Sequence, residues 1–331
     1  MTGPLKARIA RLRPDWYLIL LMAMVAVASL APATGAAATG LDTVTKVAIG
    51  LVFFLHGARL PREAVVRGLT HWRLHLLVLG ATYVLFPVLC LGLAALPSWI
   101  TPASMASGII FLGCLPSTIQ SSVAFTAIGR GNVGAAVAAA SGSNILGIAL
   151  TPLLVALLLQ EQGTMSLKSV EAIALQLLAP FVAGQVLRRW IGGWVTAQGK
   201  VLSYLDRGAI LLVVYTAFSG AVVEGVWDRV SALDLLRLTI LCCILLAVVL
   251  AATLAASRVL GFARADEVAI VFCGSKKSLA TGAPMAGVLF ATAGAGLMLL
   301  PLMIFHQIQL MVCAVMAEAY AKRRDTAGEV G

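Results

Sequence analysis

Apolar runs of about 20 residues recur ten times along this chain, and they leave few folds open. Each is long enough to cross a hydrocarbon core of about 30 Å at 1.5 Å per residue. We place them at 16–31, 43–58, 74–95, 104–126, 133–159, 169–189, 206–224, 234–257, 266–291 and 296–319. The chain is 60% hydrophobic and 11% charged, against roughly 45–50% apolar and 25% charged in soluble domains. Its mean hydropathy is +0.98. The expectation is an all-α, polytopic membrane protein, a single membrane domain over 1–331. Residues 31–40 (APATGAAATG) resemble a signal-peptide cleavage region, but a second apolar run follows at once and the preceding basic residues suit a retained anchor.

The net charge of +10 reads as topology rather than nucleic-acid binding. Of 24 Lys+Arg, 18 fall on one side of the ten runs, only Lys46, Lys168, Arg229 and Arg237 on the other, and Lys276 and Lys277 within the ninth run. Such asymmetry over short loops is the positive-inside rule. It places both termini in the cytoplasm of a multi-pass protein in a bacterial-type cytoplasmic (inner) membrane, with anionic lipid as a partner. All six cysteines (Cys90, Cys114, Cys242, Cys243, Cys273, Cys313) lie within apolar runs without CxxC spacing, and read as small buried hydrophobes. No HExxH and no phosphate-binding glycine-lysine loop is present, so neither a zinc hydrolase nor ATP as a partner is expected.

No soluble domain separates the runs, and residues 191–204 (IGGWVTAQGKVLSY) read as the longest loop, short and polar. Ten runs divide into five and five, 14–160 and 168–320. Five is odd, so the second half starts on the opposite side of the membrane and the repeat is inverted. The fourth run of each half is the most interrupted. In the first half it contains LGCLPSTIQSSVAFT (112–126), where Pro116 removes a donor and Ser117, Thr118, Gln120, Ser121 and Ser122 can serve the freed groups. In the second it contains FCGSKKSLATGAP (272–284), with Gly274 and Ser275 ahead of two lysines and Gly282 and Pro284 beyond. In lipid a broken helix is tolerated only against protein or a water-filled cavity. Two such breaks at equivalent positions of inverted halves point to a transport site near the midplane.

Other polar residues gather near these breaks. Ser141 and Asn144 share one face of the fifth run, where interhelical hydrogen bonding competes with a ligand role. His306, Gln307 and Gln309 sit at mid-depth in the tenth run. Lys276 and Lys277 are the sharpest feature, because a charged lysine at the bilayer centre costs about 2.5–3.5 kcal/mol on insertion scales. Every carboxylate falls in a loop or at the end of a run, so none is visibly placed to pair with them. Three resolutions stay open: one lysine is neutral, backbone carbonyls at a half-helix C-terminus hold the pair, or an anionic substrate supplies the charge. A fixed ammonium could also stand where a transported cation would otherwise sit.

The sequence resembles the bile acid:sodium symporter family. The resemblance runs nearly the whole length, through FLHGARLPREAV (54–66), GRGNV (129–133) and LTPLL (150–154). LPSTIQSSVAFTAIGRGN with FCGSKKSLATGAP is similar to bacterial sodium-dependent transporters grouped with the seventh, orphan animal member. The resemblance implies ten transmembrane helices in a panel (helices 1, 2, 6 and 7) and a core (3 to 5 and 8 to 10). It also implies broken helices 4 and 9 that cross, access alternating between the two sides, and sodium at the crossing. The family's sodium-binding serine of helix 4 falls on Ser122, a helix 5 serine ligand on Ser141, and Asn144 near a second hydroxyl ligand. The pattern departs at Val123, where the family has asparagine, at Cys273, where it has the shared glutamate, and near Lys277, where it has glutamine. One weakened sodium site, or none, with a lysine supplying the charge, fits that departure.

These readings combine into a secondary active transporter for a small organic anion, with sodium as the candidate coupling ion, one site or none, and no other metal or cofactor. Thr118, Gln120, Ser121, Lys276, Lys277 and Ser278 are the expected substrate-binding residues. Ser122, Ser141 and Asn144 are the expected ion-binding residues, with Cys273, His306, Gln307 and Gln309 in support. Lysine suits a carboxylate or sulfate because it offers a compact charge with three donors. The rival is a non-transporting membrane regulator or sensor that keeps the fold. An enzyme is not expected, since no nucleophile–base pair or metal cluster stands out.

Overall fold

The computed structural model describes residues 16–59, 71–159, 167–225, 228, 230–290 and 295–328. Those residues form helices and connecting turns, with no strand among them. In chain order the helices are α1 (Trp16–Leu30), α2 (Gly35–Arg59), α3 (Trp72–Ala94), α4 (Ala103–Cys114), α5 (Ile119–Ile128) and α6 (Val133–Leu159). There follow α7 (Leu167–Ala197), α8 (Gly199–Val223), α9 (Ala232–Val259), α10 (Arg264–Gly274), α11 (Leu279–Leu289) and α12 (Ala295–Gly328).

Six of the described helices are long and apolar enough to cross a membrane: α2, α3, α6, α8, α9 and α12. The pair α4 and α5, bent by 64° at its break, makes a seventh if taken as one span. Outward-facing apolar residues repeat at helical spacing, as in Val84 and Val88, Leu153 and Leu157, Val182 and Val186, and Ile240, Ile244 and Val248. Stripes of that kind on so many helices suit lipid rather than water.

The helices pack as two groups. One contains α1, α2, α7 and α8, and the other gathers α3 to α6 and α9 to α12 around the two breaks. Within the first group α2 and α7 cross backbone to backbone. A Cβ at Gly57 would overlap the Phe181 carbonyl, and one at Gly184 would overlap the Phe54 carbonyl. Small residues are what permit such an approach. The second group is filled by Phe86 against Phe305 and Phe111 against Phe290, both edge to face.

The structure differs from the sequence reading in three places. Residues 191–204 are not a loop: α7 runs to Ala197 and α8 starts at Gly199, with Gln198 between them. Val195 and Leu202 pack there with Leu55 and Ala58, so apolar residues at helical spacing override the glycines that suggested a turn. The helix of α11 continues through Gly282 and Pro284, so its interruption lies ahead of them, at 275–278. Cys243 is exposed on the outside of α9, whereas the other five cysteines are buried.

Candidate functional site

The two breaks lie against each other, and the sequence dictates their form. Leu115, ahead of Pro116, is extended (ψ 153°), and Thr118 is extended again before α5 begins. Five successive carbonyls, from Gly113 to Ser117, have therefore left the helix ladder, and each finds a donor elsewhere. Cys114 O accepts from Thr151 Oγ1 (2.8 Å), Pro116 O from the Ser278 amide (2.9 Å), and Ser117 O from Asn144 Nδ2 (2.6 Å). Gly113 O and Leu115 O accept from the Lys277 ammonium, at 2.7 and 2.6 Å. Complete satisfaction of this kind is what a break at membrane depth demands.

The third partner of Lys277 is Thr82 O, at 2.8 Å. It is available because α3 contains a π turn over Ala81–Leu85, in which the Phe86 amide bonds to Ala81 O instead of Thr82 O. The next residue, Pro87, has no amide hydrogen to offer. Two proline-linked irregularities on different helices thus deliver three orphan carbonyls to one ammonium. The face of Phe86 closes the fourth side, 4.2 Å from the ammonium nitrogen.

The other break is stitched from the opposite direction. Ser122 Oγ donates to Phe272 O (2.9 Å), Ser117 Oγ to Cys273 O (2.6 Å), and Thr118 Oγ1 to Lys277 O (2.9 Å). Gln309 Nε2 donates to Lys277 O (2.8 Å) and to His306 Nδ1 (2.8 Å), while its Oε1 accepts from the Lys277 amide (2.9 Å). Ser278 caps α11 by accepting from the Thr281 amide. Lys276 is equally buried, yet its ammonium has no hydrogen-bond partner. It lies over the rings of Phe125 (3.9 Å) and Phe272 (5.5 Å).

A cavity of about 420 Å³ opens between the two helix groups. One wall carries Thr118, Gln120, Ser121, Ser141, Asn144 and Ser278, all expected from sequence, together with Thr281 and His306. The opposite wall, from the first helix group, carries His56, Arg59, Asp206 and Arg207, with Phe53 and Phe181 between. Arg59 and Asp206 are paired at 3.1 Å, both partly shielded.

Lys276 and Lys277 are 0% exposed and do not line the cavity. In this conformation the Lys277 ammonium is turned into a carbonyl cluster and Lys276 lies on aromatic faces, so neither is brought to the cavity with the other residues expected to bind substrate. Ser122 is also sealed, while Ser141 faces the cavity. Cys273 and Gln309 are buried behind the polar wall, and Gln307 is half-buried outside the lining. The sequence reading missed Arg59 and Asp206 as site residues, because each was placed at the end of an apolar run. Among the described residues, no group of three or more His, Cys, Asp or Glu is placed to hold a metal ion.

Two broken helix pairs that interlock beside a polar cavity, in an apolar bundle, define a protein of the membrane-transporter class. The chain belongs to the SBF-like CPA transporter family, which it matches over residues 15–322. That family is one of transporters, not enzymes. The chain is 57% identical over 320 residues to an uncharacterized protein of Pseudomonas aeruginosa, covering 96% of both chains. It is 49% identical over 316 residues to the "Putative symporter YfeH" of Escherichia coli strain K12, covering 94% of both. It is 30% identical over 322 residues to the sodium/bile acid cotransporter 7 of Xenopus tropicalis, covering 92% of this chain and 91% of that one.

Proposed function

We propose that this protein is a secondary active transporter that carries a small organic anion across the bacterial cytoplasmic (inner) membrane by alternating access, as a symporter. The observation that carries this reading is the cavity, which joins the hydroxyls of both breaks to a charged wall on the other helix group. A cavity that reaches both groups is what relative movement of the groups would open and close, and it favours transport over a non-transporting regulator. Thr118, Gln120, Ser121 and Ser278 offer hydrogen bonds to the substrate, and Arg59 offers the charge. Lys276 and Lys277 act on the site from behind its polar wall.

The finer architecture belongs to the same proposal: ten transmembrane helices as two inverted halves, 14–160 and 168–320, with both termini cytoplasmic. In this arrangement α1, α2, α7 and α8 form the panel, and the helices around the breaks form the core. Sodium as coupling ion is supported by the names of the cotransporter relatives. Ser122, Ser141 and Asn144 would hold it. In the conformation described, Ser122 Oγ donates to Phe272 O, and Asn144 Oδ1 accepts from Thr281 while its Nδ2 donates to Ser117 O, so both oxygens keep a lone pair for an ion.

The test is uptake of labelled organic anions into proteoliposomes containing the full chain, with sodium, proton and zero gradients in parallel. Gradient-dependent accumulation of one anion supports the reading. Absence of accumulation across a broad anion panel, with folded protein in the vesicles, overturns it.

A further inference from the structure

We propose that the carbonyls of Thr82, Gly113 and Leu115, with the face of Phe86, form a monovalent-cation site whose resident occupant is the chain's own Lys277 ammonium. Three oxygens at 2.6–2.8 Å and one aromatic face 4.2 Å away surround a single nitrogen. Carbonyl oxygens replacing a hydration shell, together with a ring face, make a recognition set for ammonium-like cations. The oxygens are not ordinary helix acceptors borrowed by a passing side chain. Thr82 O is released by the π turn and Pro87, and Gly113 O and Leu115 O by the break at Pro116. The helix end at Gly113 and Leu115 also carries the negative end of the α4 dipole, which favours a positive charge there.

The geometry leaves no room for a free ion while Lys277 is in place. The wild-type protein therefore needs no dissolved cation at this position, and the α4–α5 break is held by a charge that cannot diffuse away. This assignment stands whether or not the chain carries an anion. It is separate from Ser141 and Asn144, which face the cavity.

If the site is a cation site, emptying it by truncation should make it responsive to ions of the right size and donor number. The full chain in detergent is melted as wild type and as Lys277→Ala, in chlorides of ammonium, methylammonium and choline at matched ionic strength. In choline the variant should unfold several degrees below wild type. Ammonium or methylammonium should recover at least half of that loss, while wild type shows no such difference between ammonium and choline. A variant that melts with wild type in choline, or that recovers no more in the small ammonium salts than in choline, overturns the proposal. Should Lys277→Ala yield no folded protein, Lys277→Gln, which keeps two N–H donors on a shorter chain, is read by the same recovery criterion.

Discussion

Asn144 Oδ1 accepts a hydrogen bond from Thr281 Oγ1 at 2.8 Å while its Nδ2 donates to Ser117 O at 2.6 Å. One side chain of α6 therefore ties the start of α11 to the break between α4 and α5. Asn144→Ala should lower stability by about 1–3 kcal/mol, because Ser117 O is left without a donor. Asn144→Asp should be no better, since a carboxylate cannot donate to that oxygen. Thermal unfolding of the two variants beside wild type checks both.

Lys276 offers the opposite behaviour to its neighbour. Its buried amine has no hydrogen-bond partner, so Lys276→Met removes a buried polar group held only by ring faces while keeping volume and contact with Phe125. We expect unfolding at or above the wild-type temperature, since hydrophobic replacement of buried charge is often neutral or stabilising. The same substitution at Lys277 should destabilise clearly, because three carbonyls lose their donor at once. A melting comparison of the two single variants separates the roles.

The Arg59–Asp206 pair on the cavity wall predicts a binding effect. If Arg59 meets the anion, Arg59→Gln should raise the half-saturating substrate concentration by about tenfold to a hundredfold, the value of one charge-assisted hydrogen bond. Uptake titrated against substrate, with folding checked by size-exclusion profile, gives the measurement.

Glycines on α2 predict a contrast within one helix. Gly57→Ala should destabilise by more than about 1–3 kcal/mol, because the new methyl meets the Phe181 carbonyl, which is backbone and has little freedom to yield. Gly50→Ala has open space around the new methyl. It should stabilise by up to about 1 kcal/mol through helix propensity alone. Apparent melting temperatures of the two variants check the pair.

Much of this arrangement was legible in the sequence, for reasons that particular residues show. Pro116 with a run of hydroxyls marked the first break, and the lysines flagged the second, because lipid makes both features costly without a partner. Holding of an ammonium by a half-helix C-terminus was among the readings left open, and Lys277 does this at Gly113 and Leu115. What could not be read was the third carbonyl, since Thr82 is 195 residues away from Lys277 and is freed by a local π turn. Pro87 in the third run was the available signal. The charged cavity wall was hidden for a similar reason. Arg59 and Asp206 are 147 residues apart and meet through the packing of α2 and α8.

The π turn of α3 has a consequence for descent. A π turn amounts to one residue inserted into an α-helix, and that surplus is tolerated when something uses the carbonyl it strands. Here the user is Lys277, on a helix far along the chain. Two changes that are each unfavourable alone, an insertion in one helix and a charge in another, become acceptable together. In lineages of this family the extra residue near position 82 and a lysine at position 277 should accordingly appear and vanish as a pair.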